Sequence, residues 1–424
     1  MLANPMTDPH LHVPQALSAA TCQPKAAALS PNTRFVAMCC RWPQTERTRA
    51  QVAHSAARVS DWQGVLARVQ RHRVAPLVNA SLQTVAAVPD EIRRAIRANA
   101  RASAVLALRQ AEASVRISAA LDERGITALF FKGTSLGQRA FGSIALKTCR
   151  DIDVFVPRTR AVEAIGVLEG MGYRFVMTRQ LSDARLRSAL VRHGKDMEMI
   201  SETGLIVELH WQLTRVKGLL PEFDTGGRIQ TISLGAIGRV ATFGDIDLLR
   251  FLAVHGVLHN WSRLKWLADV SALYTQLSPD DRADVVAIAQ STEPALSQAL
   301  TLCQMLFDTQ VKEPLACPKA LTQLALERIE TPPLPLNRMD RYSRAFHNTF
   351  AWRKLYRNPL HGFAHLLPSS VSTLDVIMLP LPAKHDWIYR FMRFPLWLVR
   401  QFGRRASGPG RSLGRTLSGR SCDG

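Results

Sequence analysis

Apolar positions recur at helical spacing along most of the chain, and one central stretch breaks that rhythm. Asp61-Trp62-Gln63-Gly64-Val65-Leu66 predicts an N-cap leading into an amphipathic helix, with Val65, Leu66 and Val69 on one face. His72-Arg73-Val74-Ala75-Pro76-Leu77-Val78 starts another segment. Pro89-Asp90-Glu91 opens a long helix through Ile92, Ile96, Val105 and Leu106 to Leu121. After Gly125-Ile126 the pattern changes. Ala128 to Phe131 is a short apolar run, read as a buried strand. It stops at the turn Lys132-Gly133-Thr134-Ser135, and Leu136 to Ala140 is helical. Residues 151–156 read as a second strand. Val162, Ile165, Leu168 and Met171 then mark a helix, with Gly172 as its C-terminal cap. Tyr173 to Met177 is a candidate short strand. Residues 195–200 and 205–211 read as a hairpin whose second arm turns Leu205, Val207 and Leu209 one way and Ile206, Glu208 and His210 the other.

From Asp245 helical patterns resume and run to about Glu330; Pro332-Pro333-Leu334-Pro335 is a stiff break. The expectation is an α+β fold with a small mixed β-sheet, flanked by N- and C-terminal helical regions. The expected divisions are a disordered leader over 1–45, a helical region over 46–122 and the α/β core over 123–215. A helical domain over 216–330, a Pro-punctuated helical region over 331–402 and a disordered basic tail over 403–424 follow.

Composition narrows the class. The chain has 424 residues, 47% of them hydrophobic, and a mean hydropathy of -0.03, as in a globular protein with a sizeable core. No apolar run reaches the ~18 residues of a membrane span, so no transmembrane segment is expected. The N-terminus lacks the basic-then-apolar pattern of a secretory signal. Seven scattered cysteines with no C-x-x-C pair argue against a zinc ribbon and suggest no disulfide framework, so a cytoplasmic location is expected. The net charge of +20 favours polyanionic partners: nucleotides, nucleic acid or anionic lipid. Arg and Ala enrichment also follows from a GC-rich genome, so charge alone does not favour nucleic acid. Residues 387–400 mix Trp, Phe, Leu and Arg and read as a peripheral membrane contact or, with more weight, a segment docked on the protein's own helices.

Candidate chemistry sits where the rhythm breaks. Asp151 and Asp153 alternate along one strand, so their carboxylates point the same way about 7 Å apart and can share hard cations. The turn before them can offer backbone N–H groups and hydroxyls to an anion. Glu208, on the polar face of an otherwise apolar strand, is a third acid. Asp196 and Glu198 also alternate and are rival ligands, although a solvated face is the favoured reading. His255 and His259 share a helix face at i, i+4 without the Glu of a zinc protease motif, which favours packing or orientation. His210 beside Glu208 can orient a ligand or form a structural hydrogen bond.

As a set, Leu129 to Leu136, Arg150 to Val156, Gly172-Tyr173, Val207 to Trp211, His255 to Trp261 and Arg263 to Asp269, with the earlier Asp61-Trp62 and His72-Arg73-Val74, resemble the nucleotidyltransferase superfamily of DNA polymerase beta and the antibiotic nucleotidyltransferases. More closely they resemble the bacterial family called "uncharacterised nucleotidyltransferase". The resemblance covers roughly residues 55–275. It implies a nucleotidyltransferase core in which Asp151, Asp153 and Glu208 are catalytic and hold two Mg²⁺ ions. It implies that Lys132, Gly133, Thr134, Ser135, Lys147 and Arg150 bind the nucleoside triphosphate (ATP or another NTP) and that NMP passes to an unidentified acceptor. Thr134 stands between Gly133 and Ser135 where the superfamily commonly has Gly directly followed by Ser or Gly, and Lys147 stands where the family often has Arg. A non-catalytic nucleotide- or partner-binding protein and an RNA-directed transferase or RNA binder are the alternative readings.

Overall fold

The computed structural model describes residues 29–177, 183–214, 220, 228–291, 293–317, 319–331 and 371–389, together with 391, 392, 395, 396 and 399. Five helices come first: α1 (Pro31–Cys39), α2 (Glu46–Ala56), α3 (Trp62–His72), α4 (Ala75–Leu82) and α5 (Asp90–Asp122). Asp61 caps α3 by accepting from the Gly64 N–H at 2.8 Å, as its place in the sequence predicts. The mixed region follows as β1 (Leu129–Phe130), α6 (Gly133–Phe141), β2 (Ile152–Phe155), α7 (Ala161–Gly170), β3 (Arg174–Phe175), α8 (Ala184–His193), β4 (Asp196–Ile200) and β5 (Ile206–His210). Next come β6 (Ile229–Ser233), β7 (Arg239–Phe243), α9 (Asp245–Leu258), α10 (Leu264–Gln276), α11 (Pro279–Ser291), α12 (Pro294–Phe307) and α13 (Lys319–Glu330).

The sheet has strand order β1-β2-β5-β4-β3, with β2 and β5 parallel and the other neighbours antiparallel. The fold is therefore α+β with a small mixed sheet, as expected. The strand period of two separates the faces. Ile152, Val154, Met197, Met199, Val207 and Leu209 point to one side, into a core closed by α7, α8 and the C-terminal half of α5. Asp153, Glu208 and His210 point to the other. There a second core, built from α1 to α4, α6 and α9 to α13, stands against the sheet. The long helix α5 belongs to both: Ile92 and Ile96 lie in the helical core, Ala111, Ile117 and Leu121 in the sheet core. The polar face of the sheet thus lies at the seam between two apolar bodies.

Two expectations are corrected. The stretch 1–45 is not a leader throughout. Order begins by Leu29, and α1 buries Phe35, Val36 and Cys39 in the helical core. Glu330, at the end of α13, accepts from the Ser30 N–H at 3.1 Å and pairs with Arg68 of α3 at 2.9 Å, tying the first and last helices of this core together. Nine residues are too few for a lasting period, which hid the helix in the sequence. The second correction concerns 216–330: β6 and β7 form a hairpin inside the region expected to be helical, turning at Gly235 and Gly238, both with positive φ.

Residues 1–28, the tail 403–424 and most of 331–402 lie outside the described residues, as do parts of 387–400. Of the Pro-punctuated region, a helix over Thr373–Met378 is described. Among the described residues no helix is long and apolar enough to cross a membrane.

Candidate functional site

Strand register builds the centre of the site. Asp153 on β2 is directly paired with Glu208 on the parallel strand β5, so the two carboxylates project side by side from the same face. His210, two residues along β5, joins them: its Nε2 lies 3.1 Å from Glu208 Oε2 and 3.3 Å from Asp153 Oδ1. One ligand atom each from Asp153, Glu208 and His210 falls within 4.8 Å of the others, close enough to share one ion. The donor set, two carboxylate oxygens and an imidazole nitrogen, suits a divalent cation. Asp196 and Glu198 lie opposite His210 and Glu208 on β4, so these acids share the site's face rather than a separate solvated one.

Asp151 lies just outside β2, at a bend, and is not among the three ligand groups that the structure draws tightest together. It is still within electrostatic reach. Burial, then the Asp153 and Glu208 charges, push its carboxyl up to about 6. Burial pushes Asp153 up too, but the Lys132 ammonium and His210 outweigh it and hold this carboxyl well below the usual range. Lys132 Nζ lies 2.6 Å from Asp153 Oδ1, with the Phe131 and Phe251 rings 5.7 and 5.9 Å away. Burial opposes its charge, and Asp153, Glu208 and Asp151 more than restore it. For His210 burial is likewise outweighed, by the hydrogen bonds to Asp153 and Glu208, and its basicity rises. Crowded acids thus hold a lysine ammonium and a histidine ring in their midst.

The phosphate-type turn opens α6. Gly133 has φ +57, in the left-handed region that glycine tolerates, and this bends the chain sharply from β1 into the helix. Its backbone passes so close to Asp151 that an added Cβ would meet the Asp151 carbonyl at 3.4 Å. The first-turn N–H groups have no partners within the helix, which leaves them available to an anion. The two hydroxyls now separate. Ser135 Oγ lies 2.7 Å from both the Phe130 and Lys132 carbonyls, so it braces the turn. Thr134 Oγ1 makes no hydrogen bond among the described residues.

A family model described as an uncharacterised nucleotidyltransferase matches residues 58–308, a span that contains the sheet, the turn and α9 to α12. The chain belongs to the uncharacterised nucleotidyltransferase family. No curated protein matches it. In this family member the remaining sequence candidates divide. Arg150 makes no hydrogen bond or ion pair among the described residues. Lys147 is buried in an ion pair with Asp269 of α10. The apolar packing of α6 against α10 leaves a buried ammonium at that place in need of an acid, and Asp269 supplies one.

Sequence reasoning gave no role to Lys265 or Trp266, and assigned packing or orientation to His255 and His259. These four residues form one wall. His255 and His259 are 4.5 Å apart, His259 stacks on Trp266 at 5.0 Å and Lys265 Nζ stands 5.8 Å from the centre of the Trp266 ring. Burial, then the charges of Lys132 and His259, hold His255 well below its ordinary value, so it is neutral. The available signal was the i, i+4 spacing of His255 and His259, whose rings meet Trp266 once α9 and α10 are folded together.

Proposed function

We propose that the protein is a divalent-cation-dependent nucleotidyltransferase that moves NMP from an NTP to an acceptor hydroxyl or phosphate, with Mg²⁺, two ions in all, as the metal. The observation that carries this reading is the lateral pairing of Asp153 with Glu208, facing the α6 turn with Lys132 between. Asp153, Glu208 and Asp151 would hold the metal, which supplies charge neutralisation at the oxygens flanking the α-phosphorus. The N–H groups of Gly133 to Ser135 and the Thr134 hydroxyl bind the terminal phosphates, with Lys132 as a mobile cation and Arg150 as a further contact. An acceptor oxygen attacks the α-phosphorus, and the bond to the bridging oxygen breaks. Pyrophosphate leaves with that electron pair. Glu208 takes the acceptor proton.

The test is thermal-shift titration with each of the four NTPs, with and without Mg²⁺, alongside pyrophosphate release and the Asp151→Asn/Asp153→Asn double variant. Metal-dependent binding that the variant loses, with its fold retained, supports the reading. Equal binding and turnover in the variant overturns it.

A second reading, a nucleotide-binding protein without chemistry, is favoured by one feature: Lys132 and His210 already satisfy the carboxylates without metal. Binding without pyrophosphate release, whatever acceptor is offered, is its signature. An RNA-directed activity is motivated by the +20 charge. RNA affinity that does not fall as salt rises counts against it.

A further inference from the structure

The segment that follows Pro382 has two unlike faces. One is docked on the protein itself. Asp386 accepts from Arg192 of α8 at 3.1 Å, and Arg192 also reaches the Leu381 carbonyl at 2.6 Å. Tyr389 is 1% exposed and packs into the sheet core, with its ring 5.1 Å from that of His193. Its hydroxyl donates to the Leu379 carbonyl and accepts the Leu381 N–H at 3.3 Å. The described residues at 388–399 are helical, and Leu396, seven residues after Tyr389 and so on the same face, is buried too.

The opposite face is uncovered. Trp387, Phe391, Pro395 and Val399 follow one another at four-residue steps, and all four are exposed. Trp387 is 59%, Phe391 71% and Val399 54% exposed. The Trp387 and Phe391 rings meet edge to face at 6.0 Å. Among the described residues no other Trp or Phe is exposed. A helix anchored on one side that offers aromatic rings to water on the other is built to be covered by something else.

The charge of the surrounding sequence says what covers it. Residues 387–424 contain eight arginines and one acidic residue, Asp423. Arg390 and Arg393 interleave with the apolar stripe in the sequence, and Arg400 directly follows it. A charge so one-sided complements a surface that is negative throughout. Aromatic rings suit the level where lipid headgroups meet acyl chains, and arginines suit the phosphates just above. Apolar insertion and a basic cluster are each marginal as membrane anchors, and together they suffice.

We propose that Trp387, Phe391 and Val399 form a docking face for an anionic lipid surface, with the arginines of 387–424 supplying the complementary charge. The protein lies on the membrane through this face without crossing it, while Asp386 and Tyr389 fix the segment to α8. None of these residues belongs to the carboxylate site, so the inference stands apart from the nucleotidyltransferase reading.

The experiment sediments the full chain with vesicles of phosphatidylcholine, and with vesicles in which about one third of the lipid is phosphatidylglycerol, at low and at moderate salt. Wild type goes down with the anionic vesicles, stays in solution with the neutral ones and is released as salt rises. Trp387→Ser/Phe391→Ser keeps every arginine and binds the anionic vesicles about tenfold or more weakly. Both side chains are exposed, so its circular dichroism and Tm match wild type. A second readout locates the ring: brominated acyl chains quench the tryptophan fluorescence of wild type, and less so that of Trp387→Phe, which still binds. The docking face is overturned if wild type does not sediment with anionic vesicles, if the double variant sediments equally well, or if Trp387→Phe is quenched as strongly. Equal binding to neutral vesicles overturns the part given to the arginines. A lipid-free dimer that the double variant makes monomeric assigns the face to a second copy of the chain and overturns the lipid proposal.

Discussion

Lys132 Nζ lies 2.6 Å from Oδ1 of Asp153, where a metal ion bound at the carboxylates would compete with it. On the proposed reading, the ammonium serves as the cluster's resident cation until a divalent ion displaces it. Replacing it by Met leaves Asp153, almost fully buried, with the His210 ring as its near neighbour, and breaking such a buried pair costs about 3–5 kcal/mol. Added Mg²⁺ replaces the lost charge. We expect Lys132→Met to melt well below wild type in EDTA, and Mg²⁺ to raise its Tm by more than it raises that of wild type. An equal Mg²⁺ shift in the two proteins would show that lysine and metal do not compete.

Asp151 makes metal binding sensitive to acid. Its carboxyl is pushed up to about 6 by burial and by the charges of Asp153 and Glu208, so below that pH it holds a proton that a cation must displace. Mg²⁺ affinity should rise by up to about tenfold per unit from pH 5 to 6 and level off above pH 7. Calorimetric Mg²⁺ titrations at pH 5, 6 and 7 read this directly. Asp151→Asn should bind more weakly and lose the steep part of the profile; a variant with the wild-type slope would place the proton elsewhere.

The pair Lys147 and Asp269 joins the approach to β2 with α10, and both side chains are buried. Lys147→Met or Asp269→Leu alone strands a buried charge and should cost about 3–5 kcal/mol in chemical denaturation. The double variant strands none. It should lose clearly less than the sum of the two single losses, with the difference giving the coupling. Additive losses would mean that the two groups do not depend on each other.

Much of the fold was legible because its elements carry strong local signals. Asp61 caps, Gly172 past α7 and the alternation in 205–211 each fix a boundary by backbone chemistry. The Asp153 and Glu208 partnership was legible as a family order, but the resemblance gives no distances; the parallel register supplied those. What the sequence hid depends on contacts between distant segments. Lys147 carries no mark of the Asp269 carboxylate 122 residues away. The leader expectation failed for a similar reason: α1 is held by Arg68 and Glu330 from elsewhere, not by its own nine residues.

His72 carries the last prediction. Its ring is fully buried at the end of α3, and Nδ1 accepts the Leu264 N–H at 3.2 Å, fixing the start of α10. Burial, then Arg71 and Arg68, push its pKa down to about 3, so the folded protein keeps the ring neutral. The unfolded chain protonates it near the ordinary value of about 6.5. Between those values the unfolded state binds a proton that the folded state refuses. The neutral ring's contribution is therefore whole above pH 6.5 and is lost as pH falls, at up to about 1.4 kcal/mol per unit. Glutamine at this position offers an acceptor to Leu264 and does not titrate. His72→Gln should cost stability at pH 7, and by pH 5 that deficit should shrink by about 2 kcal/mol, because only wild type pays for refusing the proton. Denaturant titrations of both proteins at the two pH values test this, since every other titrating group cancels in the difference. A deficit independent of pH would mean that His72 is protonated in the folded protein.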